Sequence, residues 1–115
     1  MLAAVVFTAF YPAAAGAHAP GSVALGYDLS SQTLQATITH TRFSDSHYID
    51  KVEVKKNGNL VSLQAYKSQP TEAVVYSYKV TAVAGDVLEV KAYCNKFGSR
   101  TQKITVSAPG NPEAK

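Results

Sequence analysis

The sequence predicts an all-β fold, an antiparallel sandwich of about seven strands. Three observations carry this. Apolar and polar residues alternate in short runs, and turn residues separate the runs. No helical crossover segment lies between the runs, so neighbouring strands pair antiparallel. The 115 residues suffice for one core and not for two.

The runs come in this order. SVALGYD presents Val23, Leu25 and Tyr27 on one face, and TLQATITH presents Leu34, Ala36, Ile38 and His40. HYIDKVEVKK sets Val52 and Val54 against Lys51, Glu53 and Lys55. The pair Asn57-Gly58 favours positive φ, which predicts a tight hairpin into NLVSLQAY. AVVYSYKV alternates Val74, Tyr76, Tyr78 and Val80, after a turn at Gln69-Pro70. DVLEVKAYC follows a turn at Gly85-Asp86 and alternates Leu88, Val90, Ala92 and Cys94. TQKITV closes the domain with Ile104 and Val106, and the sandwich domain spans residues 18–107. The tail 108–115, APGNPEAK, has little to bury and is expected to fray.

Residues 1–17, MLAAVVFTAFYPAAAGA, carry no charge. An apolar run, a break at Pro12 and the small residues Ala15-Gly16-Ala17 fit a signal peptide cleaved after Ala17, although its usual basic start is missing. The run is short for a membrane span. The expectation is export to the periplasm or beyond, with His18 as the mature N-terminus and no span in the mature chain. An uncleaved N-terminal anchor is the other reading.

The formal charge is +3, and the lysines are scattered among acids. That lacks the dense basic cluster of a nucleic-acid surface. Cys94 is the single cysteine, so no disulfide closes within the chain. Serine-triad, phosphate-loop and paired-carboxylate patterns are absent from the sequence. A nucleophilic cysteine needs a base and an orienting group, and Asn95, next to Cys94 on a strand, points to the opposite face.

The histidines and the cysteine sit at element boundaries. His40 ends one run, His47 opens the next, and Cys94 ends a third. Three strand ends can therefore aim donors at one end of the sandwich. A lone cysteine ordinarily packs as a small apolar residue, and a loop histidine ordinarily faces water. Placed together, imidazole nitrogen and thiolate sulfur suit iron, zinc or copper. Asp45, in the loop between the histidines, is a solvated residue or a further oxygen donor. Tyr48 and Tyr93 adjoin the candidate ligands and are expected to pack on the sandwich edge.

HYIDKVEV and GDVLEVKAYCNKFG, in that order, resemble the iron domain of superoxide reductases, the desulfoferrodoxin and neelaredoxin family. The matching pieces are His40, then His47-Tyr48-Ile49 with Val52-Glu53-Val54, then Gly85-Asp86, then Tyr93-Cys94-Asn95 with Gly98. The resemblance implies an immunoglobulin-like sandwich and a mononuclear non-haem iron. It implies His18, His40 and His47 as equatorial ligands and Cys94 as the axial one. It also implies reduction of superoxide to hydrogen peroxide by an external electron-donor protein, because no further cysteines are present for a rubredoxin-type centre. Two positions depart from the family pattern. Phe97 stands where the family keeps a histidine, and Ala17 where it usually keeps a lysine. As a mature N-terminus, His18 would add its α-amine as a nitrogen donor, which also suits copper. Two further readings stay open: a non-catalytic metal-binding or redox-carrier module, and an immunoglobulin-like interaction domain with a vestigial site.

Overall fold

The computed structural model describes residues 19–108. Residues 1–18, which include the expected signal peptide and His18, and tail residues 109–115 lie outside the described residues. The described chain forms β1 (Ser22–Asp28), β2 (Thr33–Thr39), β3 (Ile49–Lys56), β4 (Asn59–Ala65), β5 (Ala73–Lys79), β6 (Val87–Cys94) and β7 (Ser99–Thr105). Among the described residues there is no helix. A three-stranded sheet, ordered β1-β2-β5, faces a four-stranded sheet, ordered β4-β3-β6-β7. All pairings are antiparallel. The expected all-β sandwich is the observed fold.

Alternation places the core. Leu34, Ala36 and Ile38 from one sheet meet Val52, Val54, Leu88, Val90 and Ala92 from the other, all fully buried. Burying each large aliphatic side chain contributes about 1.5–3 kcal/mol. The hairpin at Asn57-Gly58 takes φ of 50° and 88° and joins Lys56 to Asn59, as a two-residue turn with both φ positive requires. Tyr66 stacks on Tyr76 at 4.2 Å, and its hydroxyl meets that of Tyr78 at 2.9 Å. Burial pushes the pKa of Tyr76 up to about 12 and raises that of Tyr78 further.

Three differences from the sequence expectation shape the end of the sandwich that holds the candidate donors and its far edge. First, β3 begins at Ile49 and not at His47. Its pairing with β6 shifts register between Ile49 and Lys51, so Asp50 is an extra residue. The shift lets Ile49 and Val52, three apart, both face the core. Second, β7 begins at Ser99, because Gly98 turns the chain back with φ +62°. Third, β4 is an edge strand whose Leu60, Val61 and Leu63 are about half exposed, so its apolar residues do not build the core.

Candidate metal centre

The site lies where β2 ends, β3 begins and β6 ends. His40 follows β2 and keeps its inward parity. It is 1% exposed, and its main-chain N–H donates to Glu72 at 2.9 Å, which prolongs the β2–β5 pairing by one residue. Cys94 is the last residue of β6, buried, and directly opposite Ile49. His47 sits on the loop between β2 and β3, where it and Ser44 exchange main-chain hydrogen bonds of 2.8 and 3.1 Å in a tight turn. The His40 and His47 rings meet edge-on, with centroids 4.5 Å apart. One donor atom from each of His40, His47 and Cys94 lies within 4.8 Å of the others.

Hydrogen bonds define which ring nitrogens carry lone pairs. His47 Nδ1 is 2.7 Å from the carbonyl of Arg42. A carbonyl only accepts, so Nδ1 carries a hydrogen, which in the neutral ring leaves the lone pair on Nε2. Arg42 turns that carbonyl toward the ring from a left-handed conformation, φ +59°. His40 Nδ1 is 2.7 Å from Oε1 of Gln69, a residue only 6% exposed. The same Oε1 accepts from Ile49 N–H at 3.1 Å, while Nε2 of the amide donates to the carbonyls of His40 and Thr71 at 2.9 and 3.0 Å. Those neighbours allow one amide orientation only. Oε1 therefore accepts from His40 Nδ1, and in the neutral ring His40 also has its lone pair on Nε2.

The segment carrying His47 is tied to the strand carrying Cys94 by Asn95. Asn95 N–H donates to the Tyr48 carbonyl, and its Oδ1 accepts from Tyr48 N–H, each at 2.9 Å. Asn95 Nδ2 donates to the Ser46 carbonyl at 3.3 Å. The residues on both sides of His47 are thus held by one residue. Cys94 Sγ accepts from Lys96 N–H at 3.4 Å, and Cys94 N–H donates to Gly98 at 3.1 Å, which folds the following loop back beside the sulfur. A Cβ on Gly98 would meet Ala19 Cβ at 3.1 Å, so the entering chain packs against this loop.

Two imidazoles with lone pairs on Nε2, plus one sulfur, are a transition-metal donor set. Ligand atoms around one ion sit roughly 3–4 Å apart, given bonds of about 2.0–2.3 Å. A spread of at most 4.8 Å closes onto an ion with small side-chain rotations. The residues present therefore fit a bound iron, zinc or copper ion.

The structure brings together three of the four residues singled out as ligands; the fourth, His18, lies outside the described residues. Asp45 is exposed and does not join the cluster. Tyr93 lies on the outer face of its sheet, with its hydroxyl on Glu53 at 3.0 Å and Lys51 over its ring at 4.2 Å. Phe97 follows Cys94 in a bend and is 54% exposed. Sequence reading treats Gln69 as a turn residue beside Pro70 and does not find its bond to His40. A cavity of about 420 Å³ lined by Gly26, Asp28 and Ser31 is bordered by none of the three donors.

The solved structures similar to this chain include the superoxide reductase (neelaredoxin) from Ignicoccus hospitalis, with a TM-score of 0.50 and 17% identity over 83% of this chain and 87% of that one. Two variants of that protein match with TM-scores of 0.53 and 0.52 at 16% and 18% identity. The first covers 84% of this chain and 86% of its own; the second covers 83% and 85%. This likeness is one of fold. No family model matches the chain, and no curated protein matches it.

Proposed function

We propose that the chain is an exported non-haem iron protein of the superoxide-reductase type. One observation carries the reading. One ring nitrogen each of His40 and His47 and Sγ of Cys94 lie within 4.8 Å of one another at one end of a sandwich whose fold is that of superoxide reductases. These atoms would hold the iron, and His18, one residue before Ala19 at the Gly98 loop, would add a further nitrogen. When bound, the iron supplies the one-electron couple, and a thiolate ligand adds electron density to it. The overall change is balanced: one superoxide takes up one electron and two protons and gives one hydrogen peroxide. The electron comes from an external donor protein.

The chain's own groups prepare the site. The carbonyl of Arg42 and the amide of Gln69 keep both histidines in the form whose Nε2 can donate. The Lys96 N–H moderates the sulfur's donor strength. Phe97 favours a second reading, because a phenyl ring cannot ligate and the family histidine is missing there. In that reading the chain is a metal-binding or redox-carrier module without turnover.

The test is iron content of the secreted protein, the mass of its mature chain, and its oxidised visible spectrum. Stoichiometric iron and a thiolate-to-ferric charge-transfer band are expected, with the chain starting at His18. Cys94→Ser should abolish the band and lower iron affinity by at least about 10- to 100-fold. A protein that takes up no iron, or a band that survives Cys94→Ser, overturns the reading. Superoxide consumption in pulse radiolysis separates the reductase from the carrier module.

A further inference from the structure

The geometry points to Gln69 as the positioning residue of this centre: its buried carboxamide sets the tautomer of His40 and joins that ring to the strand that comes after His47. The inference rests on the metal-binding reading but is not contained in it.

A buried carboxamide must satisfy both of its ends. Gln69 is 6% exposed and lies between β4 and β5, away from the ligands in sequence. Its four bonds use both ends of the amide: Oε1 accepts from His40 Nδ1 and Ile49 N–H, and Nε2 donates to the carbonyls of His40 and Thr71. A buried polar group that loses such partners costs about 1–3 kcal/mol, so the amide cannot flip without breaking several bonds at once. With Oε1 held toward the ring, His40 has only one way to satisfy it, by carrying its hydrogen on Nδ1. Unconstrained neutral histidine favours the opposite tautomer, with the hydrogen on Nε2, which blocks that nitrogen as a donor. Gln69 therefore selects the metal-ready form before any ion arrives.

The same donors and acceptors explain the residue type. A glutamate at 69 keeps an acceptor for His40 but offers no N–H to the two carbonyls. Leucine offers neither. A glutamine is also neutral, so it orients the ring without adding a negative charge to a site whose sulfur would bind a metal as thiolate. Because Oε1 also binds Ile49 N–H, movement of β3 at this point shifts the acceptor that aims His40.

The experiment compares the wild type with Gln69→Leu and Gln69→Glu, all metal-free at first. Nitrogen-15 NMR of the imidazoles reports which nitrogen of His40 carries hydrogen. The wild type should show hydrogen on Nδ1. Gln69→Leu should move the population toward hydrogen on Nε2 and lower Co²⁺ affinity by about 10- to 100-fold, read from the cobalt–thiolate absorption. Gln69→Glu should keep the Nδ1 tautomer and recover most of the Co²⁺ affinity, while melting at a lower temperature than the wild type. A wild-type His40 with hydrogen on Nε2 overturns the inference. So does a Gln69→Leu protein that keeps both the tautomer and the affinity. If Gln69→Leu does not fold, the wild-type tautomer and the split between tautomer and melting in Gln69→Glu decide. If the wild type binds neither Co²⁺ nor iron, the metal reading fails, and the tautomer still judges Gln69 separately.

Discussion

Two asparagines tie β3 to β6, one at each end of the strand pair. Asn57 stands one residue past β3; its N–H donates to the Val87 carbonyl at 2.8 Å and its Oδ1 accepts from Val87 N–H at 2.9 Å. Asn95 stands one residue past β6 and makes the same two bonds with Tyr48. Each side chain continues the ladder where the main chain stops. The ends differ in the third bond. Asn57 Nδ2 reaches the carboxylate of Asp86 at 3.0 Å, and Asn95 Nδ2 reaches the carbonyl just before His47. The same device closes a plain turn at one end and holds the loop of a candidate metal ligand at the other. A shared local solution therefore says nothing about function; the residues it holds decide that.

Substitutions at the two ends put this contrast to the test. The largest effect is expected from Asn95→Ala, which removes the side-chain bonds to both neighbours of His47 and leaves only the main-chain bond to Tyr48. Stability should fall by about 1–3 kcal/mol, and Co²⁺ affinity by about 10- to 100-fold. Chemical denaturation of the metal-free protein and a cobalt titration measure the two quantities. Asn57→Ala removes the matching bonds and places alanine at φ +50°. It should cost about 1–3 kcal/mol in the same denaturation, with Co²⁺ affinity unchanged. Equal losses of affinity in both variants would erase the distinction between the ends.

The smallest effect belongs to pH. The Asn57 side chain, then Val83 N–H, holds the Asp86 carboxyl below the ordinary carboxylate range. A depressed folded pKa adds stability above the unfolded pKa, and that stability is lost as pH falls through the folded value. Asp86→Asn should therefore flatten the acid side of the stability curve, from the ordinary carboxylate range downward. Because Asp86 is solvent-screened, the change should be modest. An unaltered curve would remove Asp86 from the turn's stabilisation, and a change in Co²⁺ affinity would contradict the separation of the two ends.

Much of the molecule is legible in its residues before any pairing is known. The alternation of Leu34, Ala36, Ile38 and His40 places His40 inward, and the same parity along Leu88, Val90 and Ala92 places Cys94 inward. His47 is legible only as a boundary residue. Its position depends on a register shift at Asp50 and a left-handed Arg42, neither of which leaves a periodic mark. Gln69 and the clamp made by Asn95 are not legible, since an amide in a loop has no pattern that names its partner.

Local rules were enough to set the strands, their inward faces and the donor types available for a metal. Burial on one face imposes a two-residue period, and turns demand particular residues. Closure of the two sheets was needed to bring His40, His47 and Cys94 together and to fix which nitrogen of the His40 ring can donate. Convergence depends on the register between β3 and β6, and the His40 tautomer on a bond to a glutamine 29 residues away. Both are long-range pairings. Such pairings exist only once distant parts of the chain have come together, because each replaces a hydrogen bond to water with one to a remote segment.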